Sequence, residues 1–340
     1  MKIQNKYVQF NAPLKVTLNI TNVCNLRCVH CYNKSCAKLK NEEMTFKDIK
    51  NVLEDLKDIG VYLISINGGE PFMRADTMDI LSYARNLGFI INLNTNGTLI
   101  NKDIAKRLSE MKIKNIDVSM QANNKENFIK FTKVDFFKQA VSGIKNLIRV
   151  GIIPSLAFTV TYLNKDWLPS IVEMAKKINI KNIHTVVLVE KGRAIENKLT
   201  VDMESLKKTY EKVIKKAKQC GINLFLECPF NLNDSIDASF SHNISMDTGC
   251  FGGRYMACIQ SNGDVTPCAL LPDYVVGNIK KNRFLDIWNS DKMLIMGVKK
   301  YKLPDVCIKC NDLPNCYGGC PANNNFLNTK KDIFCPKKNI

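Results

Sequence analysis

Between residues 14 and 190 short β-rich runs alternate with stretches of helical periodicity, and this rhythm restricts the fold more than any other feature of the sequence. Strands are predicted at 14–20, 62–66, 89–93, 116–120, 155–161 and 183–189, with helices between them such as 136–150 and 168–178. Successive strands start between 27 and 48 residues apart, room in each case for the crossover helix of a right-handed βαβ unit. Six such units predict an α/β fold, a curved parallel sheet or partial (β/α)6 barrel, whose chemistry sits on the loops leaving the C-terminal ends of the strands. Thr45 reads as the N-cap of the first helix, with Asp48 at its third position. Ile49, Val52, Leu53, Leu56 and Ile59 supply that helix's apolar stripe and Gly60 its stop.

The unusual residues of this region fall on those loops. Cys24, Cys28 and Cys31 follow the first strand, Gly68-Gly69-Glu70 the second and Thr95-Asn96-Gly97 the third. Ser119 and Gln121 come at the fourth, Asn164 at the fifth, and Glu190 to Arg193 at the sixth. After about residue 230 helical periodicity fades, and 231–340 carries eight of the fourteen cysteines. Three parts are therefore expected: an N-terminal extension at 1–13, the β/α region at 14–230 and a cysteine-stapled domain at 231–340.

A chain of 340 residues that is 45% hydrophobic has apolar surface enough for packed cores, which excludes intrinsic disorder. No apolar run approaches the ~18 residues of a membrane span, and the N-terminus lacks the apolar stretch of a secretory signal. A cytoplasmic location is expected, with no membrane partner, so the cysteines point to metal or catalysis rather than disulfides. The net charge of +17 raises the question of nucleic acid. Lys207, Lys208, Lys212, Lys215, Lys216 and Lys218, however, alternate with Leu206, Tyr210, Val213, Ile214 and Ala217, the pattern of a solvated helix with one buried face. No nucleic-acid partner is expected.

Cys24-x3-Cys28-x2-Cys31 is followed by Tyr32. Three thiolates on a short loop can hold three irons of a [4Fe-4S] cube and leave the fourth open, while a three-cysteine zinc site completed by His30 is the alternative from spacing alone. Further on come Cys250, Cys258, Gly263 and Cys268, then Cys307-x2-Cys310-x5-Cys316-x3-Cys320, and last Cys335. For the CxxC part a zinc ribbon is the alternative.

In register, the cysteine loop and Gly68-Gly69-Glu70 resemble the radical S-adenosylmethionine superfamily. The C-terminal pattern is similar to its SPASM domain, CX9–15GX4C, gap, CX2CX5CX3C, gap, C, and Gly277-Asn278-Ile279 ahead of Leu285-Asp286-Ile287-Trp288 is typical of that subclass. The resemblance implies three [4Fe-4S] clusters and bound S-adenosylmethionine. Cys24, Cys28 and Cys31 would hold the cluster that meets the cofactor. Cys250, Cys258, Cys268 and Cys320 would hold one auxiliary cluster, and Cys307, Cys310, Cys316 and Cys335 the other. It further implies that Gly68, Gly69 and Glu70 hold the cofactor's amino group, that the backbone at Tyr32 meets its adenine and that Ser119 meets its ribose. Ser119-Met120-Gln121-Ala122 stands where many relatives have Ser-Leu-Asp-Gly. Lys130, Lys133 and Arg193 are candidates for its carboxylate, and Asn96 either contacts the cofactor or serves an Asn-Gly turn.

The activity implied is reductive cleavage of S-adenosylmethionine to a 5′-deoxyadenosyl radical, which takes a hydrogen atom from a substrate. The reductant would be a protein such as flavodoxin or ferredoxin. Members of this subclass mostly modify ribosomally made peptides, and crosslinking or other oxidative maturation of such a peptide is the favoured reading. Sulfatase maturation is disfavoured, since those maturases carry an acidic base where this chain has Ala269. Only 23 residues precede Cys24, so leader recognition is expected from a separate protein or another surface. The alternatives are modification of a small molecule or tetrapyrrole side chain, and epimerisation with a spare thiol as hydrogen donor. Of the unassigned Cys36, Cys220 and Cys228, the last lies at the end of a predicted strand and is the candidate donor, or else a small buried apolar residue.

Overall fold

The computed structural model of the chain describes residues 9–38, 42–227, 250–297, 303–311 and 318–324, together with Leu313, Asp332, Phe334 and Cys335. These fall into two compact units. The first takes in the described parts of Met1–Asn25, Ser35–Asn94 and Cys250–Lys302, and the second those of Leu26–Lys34, Thr95–Gly249 and Leu303–Ile340.

In the first unit β1 (Lys15–Asn19), β2 (Leu63–Asn67) and β3 (Ile90–Thr95) run parallel, joined by α1 (Phe46–Asp58) and α2 (Thr77–Asn86). The expected start of α1 is present. The Thr45 hydroxyl accepts from the Asp48 amide while the Asp48 carboxylate accepts from the Thr45 amide at 2.8 Å. Four of the five stripe residues, Ile49, Val52, Leu53 and Leu56, are buried, and Ile59 caps the end before Gly60 at φ +87°. Odd and even strand positions separate the two faces. Val16, Leu18, Ile64, Ile66, Ile91 and Leu93 form a buried apolar face on which crossover helices can pack. Toward the C-terminal ends of the strands the opposite face is polar: Thr17 pairs in register with Ser65 and Ser65 with Asn92, while Asn19 pairs with Asn67.

The cysteine-rich stretch extends this sheet. Strand β8 (Met256–Ile259) pairs in parallel with β1, then turns antiparallel into β9 (Asp264–Thr266) and β10 (Gly277–Asn278). Helix α9 (Phe284–Trp288) closes over the edge: the Phe284 amide donates to the Asp55 carboxylate at 2.8 Å, and the buried Trp288 donates through Nε1 to the Phe10 carbonyl at 2.8 Å. A Cβ at Gly277 would lie 2.8 Å from Ile287 Cγ1, which explains a glycine there.

In the second unit β4 (Asn115–Ser119), β5 (Ser155–Val160), β6 (Asn182–Val187) and β7 (Asn223–Glu227) run parallel. Helix α3 (Lys102–Glu110) precedes β4, and the four strands are linked through α4 (Lys125–Thr132), α5 (Phe137–Arg149), α6 (Leu168–Lys177), α7 (Arg193–Glu196) and α8 (Met203–Cys220). Strand β5 stops one residue earlier than expected because the Thr161 amide and hydroxyl both donate to the Asn164 side-chain oxygen, which begins a turn. Helix α8 buries Leu206, Tyr210, Val213, Ile214 and Ala217, leaving Lys208, Lys212, Lys215 and Lys218 in solvent, the arrangement expected for its charges. Among the described residues no helix is long and apolar enough to cross a membrane.

Candidate functional site

The approach to the cysteine loop belongs to the first unit. The Gly69 amide donates to the Thr21 carbonyl at 2.7 Å and the Glu70 amide to the Val23 carbonyl at 2.8 Å, so the Gly-Gly-Glu segment is stitched to the backbone that delivers Cys24. Both glycines are explained by that contact. A Cβ at Gly68 would stand 2.6 Å from the Thr21 carbonyl oxygen, and one at Gly69 2.3 Å from that of Val23. Glu70 is fully buried and accepts from the Phe72 amide at 3.3 Å, capping the short turn Pro71–Met73. Two further residues, which the sequence did not single out, brace the same approach. Glu43 accepts from the Asn22 amide and the Thr21 hydroxyl, and Arg74 grips Asp76 through two nitrogens while donating to the carbonyls of Ile20 at 2.9 Å and Met44 at 2.7 Å. Arg74 lies four residues past Glu70, so a charged residue close behind the motif was the available signal.

The body of the loop belongs to the second unit. The Arg27 and Val29 amides donate to the Thr132 and Phe131 carbonyls at the end of α4, both at 2.9 Å. On its other side lies the start of α7. The Arg193 amide donates to the Cys31 carbonyl at 3.0 Å, its Nε to the Cys28 carbonyl at 2.8 Å, and Asn197 Nδ2 to the Val29 carbonyl at 3.2 Å. Gly192, at φ +57° and ψ −129°, makes this possible, because a Cβ there would sit 2.3 Å from the Tyr32 carbonyl oxygen and 2.5 Å from that of Cys31. Arg193, expected near the cofactor's carboxylate, thus also backs the cysteine loop. His30 packs its ring on Phe131 at 4.8 Å, and burial, with the Arg193 charge nearby, pushes it down to about 4, so the ring is neutral.

Of the remaining expected contacts, Ser119 stands exposed at the C-terminal end of β4. Asn96 is buried, and its side-chain oxygen accepts from the Thr98 amide at 2.9 Å and hydroxyl at 2.6 Å, closing the turn in which Gly97 adopts φ +74°. Lys130 and Lys133 are exposed on α4 and at its left-handed C-cap. Gln121 ties β4 to β5, accepting from the Thr159 amide at 2.9 Å.

Among the C-terminal cysteines, Cys250, Cys258 and Cys268 are gathered in the first unit, where neighbouring thiols act on one another's charge. Burial pushes the Cys258 thiol far up and the Cys268 thiol up to about 12, an environment hostile to free thiolates. Yet N–H donors converge on these sulfurs. The Gly252 amide lies 3.4 Å from Cys250 Sγ, the Leu270 amide 3.5 Å from Cys268 Sγ, and Asn19 Nδ2 and Gln260 Nε2 each 3.6 Å from Cys258 Sγ. Such donors suit thiolates whose charge a bound metal stabilises, so the three fit cluster ligation.

In the second unit the Cys310 amide donates to the Cys307 carbonyl at 3.1 Å, and Cys320 follows Gly318 and Gly319. The Cys320 amide donates to Asp332 at 2.7 Å and the Cys335 amide to the Asp332 carbonyl at 3.0 Å, with burial pushing the Asp332 carboxyl up to about 6. Cys316 and Cys228 lie outside the described residues. Every described cysteine is a free thiol.

These features are those of a known class: the chain belongs to the radical S-adenosylmethionine superfamily, whose family model matches residues 18–178. Within it the chain is of the SPASM type, since the iron–sulfur cluster-binding domain of that name matches residues 250–311. Membership implies iron–sulfur clusters and S-adenosylmethionine. The chain is 28% identical to an AdoMet-dependent heme synthase of Methanosarcina barkeri over 92% of both chains. It is 29% identical to the Fe-coproporphyrin III synthase of that organism, over 93% of this chain and 86% of the relative. Its fold matches Streptococcus suis SuiB bound to the precursor peptide SuiA, with TM-score 0.77 and 23% identity over 97% of this chain and 76% of SuiB.

Proposed function

We propose that this radical S-adenosylmethionine enzyme acts on a ribosomally made peptide and oxidises it, by crosslinking or a related loss of hydrogen. The carrying observation is the polar face of β1–β3 and β8. Asn67 Oδ1 accepts from Asn94 Nδ2 at 2.6 Å and from the Ser65 hydroxyl at 3.1 Å, which leaves the Asn67 amine and the Asn94 oxygen without a partner among the described residues. One donor group and one acceptor side by side match the C=O and N–H of a peptide unit. Lys15, at the far end of β1, is the one charged side chain among the described residues of that face. A substrate bearing several carboxylates would call for cationic partners there.

When bound, S-adenosylmethionine and its reduced cluster supply a carbon-centred radical able to remove a hydrogen atom. The chain's own part is placement. Cys24, Cys28 and Cys31 hold the cluster, and Glu70, buried and fixed beside the approach to the loop, takes the cofactor's ammonium with Gly68 and Gly69. The Tyr32 backbone and Ser119 meet the nucleoside, with Arg193 and Asn96 in supporting positions. The eight C-terminal cysteines hold two auxiliary clusters able to accept the electron that an oxidative outcome releases, which favours oxidation over epimerisation through Cys228. A reductant of the flavodoxin or ferredoxin kind and a separate leader-recognition protein complete the proposal.

A second reading, modification of a tetrapyrrole side chain, has one specific support: of the two Methanosarcina relatives, at 28% and 29% identity over more than nine-tenths of this chain, one is named a heme synthase and the other an Fe-coproporphyrin III synthase. The two are separated by incubating anaerobically reconstituted, reduced protein with peptides encoded beside its gene, and in parallel with a coproporphyrin-type tetrapyrrole. A loss of two hydrogens from a peptide is expected. A change in the tetrapyrrole with none in any peptide would replace the first reading by the second. The same preparation should carry about twelve irons per chain, and about eight after Cys24, Cys28 and Cys31 are replaced by alanine.

A further inference from the structure

The buried polar cluster at the end of β1 is costly for a chain to keep, and the orientation of its two amides bears on what it serves. Asn19 is fully buried, yet its side-chain oxygen has no hydrogen-bond partner among the described residues. Its Nδ2 instead lies 2.8 Å from Gln260 Oε1 and 3.6 Å from Cys258 Sγ. Gln260, also buried, has its Nε2 3.6 Å from the same sulfur and 3.4 Å from Thr266 Oγ1, and the Thr266 hydroxyl donates in turn to the Cys268 carbonyl at 3.0 Å. Rotating the Asn19 amide alone would set its oxygen against Gln260 Oε1 and against the sulfur, acceptor against acceptor, and rotating both amides together would turn two oxygens onto the sulfur, which as a thiol has one proton to give. The arrangement keeps donors on the sulfur and leaves an acceptor orphaned. A neutral thiol accepts hydrogen bonds weakly and would not repay that loss, whereas a thiolate ligand of a cluster would.

We propose that Asn19 and Gln260 are positioning residues for the auxiliary cluster that Cys258 ligates, and that their N–H···S contacts raise its reduction potential. The inference rests on the assignment of Cys258 as a cluster ligand. Each electron added to a cluster increases the negative charge on its sulfurs, so donors aimed at a sulfur stabilise the reduced form more than the oxidised form. Removing a donor should therefore make the cluster harder to reduce. Because both amides are side chains, on strands β1 and beyond β8, the potential is set by residues far apart in sequence rather than by the cysteine motif itself.

The test uses the full-length chain with Cys24, Cys28 and Cys31 replaced by alanine, so that only auxiliary clusters contribute to an EPR-monitored redox titration. Gln260→Met keeps the length of the side chain and removes its amine; Asn19→Leu removes the other donor. With iron content unchanged, each should lower one midpoint, by about a tenfold fall in the reduced-to-oxidised ratio at fixed potential, roughly 59 mV for one electron. The second midpoint should stay in place. If Asn19→Leu does not fold, Gln260→Met decides alone. Intact iron with both midpoints unmoved would overturn the tuning role and leave the ligand assignment standing. Absence of auxiliary iron in the parent chain, or its persistence after Cys258→Ala with the potentials unaltered, would instead overturn the ligand assignment and the inference with it.

Discussion

Thr21–Val23 meets Gly68–Glu70 through backbone hydrogen bonds of 2.7 and 2.8 Å, whereas the contacts of Cys28–Tyr32 with the start of α7 include, beside a backbone bond from Arg193, bonds from the side chains of Arg193 and Asn197. At each place a glycine stands where a Cβ would lie 2.3 Å from a carbonyl oxygen. The two differ in backbone conformation. Gly192 sits at φ +57°, ψ −129°, a region closed to side chains, while Gly69 is not among the residues of positive φ. Close approach alone therefore demands a glycine on one side, and approach together with conformation demands it on the other.

That difference ranks the substitutions. Gly192→Ala should be the more damaging, because relieving its clash also requires changing a backbone conformation that alanine disfavours. Gly69→Ala should cost about 1–3 kcal/mol from overpacking alone, with cluster loading partly retained. Iron content and S-adenosylmethionine cleavage, measured side by side, check the order. Equal loss in both would mean that conformation adds nothing to close approach.

Glu70→Gln sharpens the account of the approach without disturbing the glycines. If the carboxylate meets the cofactor's ammonium, the substitution should weaken S-adenosylmethionine binding by about 1–3 kcal/mol while iron loading stays at its original level. Unchanged affinity would reduce Glu70 to the cap of the Pro71–Met73 turn. On the other side, Asn197→Ala deletes a neutral bond to the Val29 carbonyl at 3.2 Å, together with one to the Arg193 carbonyl at 2.8 Å within the same short helix. The expected cost is about 0.5–1.5 kcal/mol, seen as faster loss of the loop's cluster in a chelator challenge. No acceleration would show that Arg193 suffices to hold that side.

Gly68-Gly69-Glu70 was legible because it is contiguous and follows a strand, so the motif carries its own context. Gly192 was not. Lys191-Gly192-Arg193 resembles any exposed turn, and its need for glycine comes from the Tyr32 and Cys31 carbonyls, 160 residues earlier in the chain. The same distinction runs through the fold. The six strands, the Thr45 cap and the buried stripe of α8 follow from local pattern, since periodicity and capping are set within a few residues. The pairing of β8 with β1, and the approach of Gln260 to Asn19, join segments 241 residues apart and leave no local mark. For Asn96 the sequence left two roles open, and its bonds to Thr98 supply the turn.

Thr45→Ala provides the smallest effect and separates loop register from general stability. Thr45 caps α1 and takes part in neither glycine contact, and its loss should cost about 1 kcal/mol in unfolding by urea at pH 7. The Asp48 carboxyl is held below its ordinary range chiefly by the hydrogen bond from the Thr45 amide and then by that from its hydroxyl. A depressed carboxyl stabilises the fold above its unfolded value, near 3.8, and that contribution is lost as pH falls through the lower folded value. Hydrogen exchange at the first-turn amides of α1 should therefore distinguish Thr45→Ala from the parent at neutral pH, and the gap should narrow in acid. Iron per folded chain should not change. If it falls as far as in Gly69→Ala, cluster loading follows overall stability, and the glycine contacts lose their special place in holding the loop.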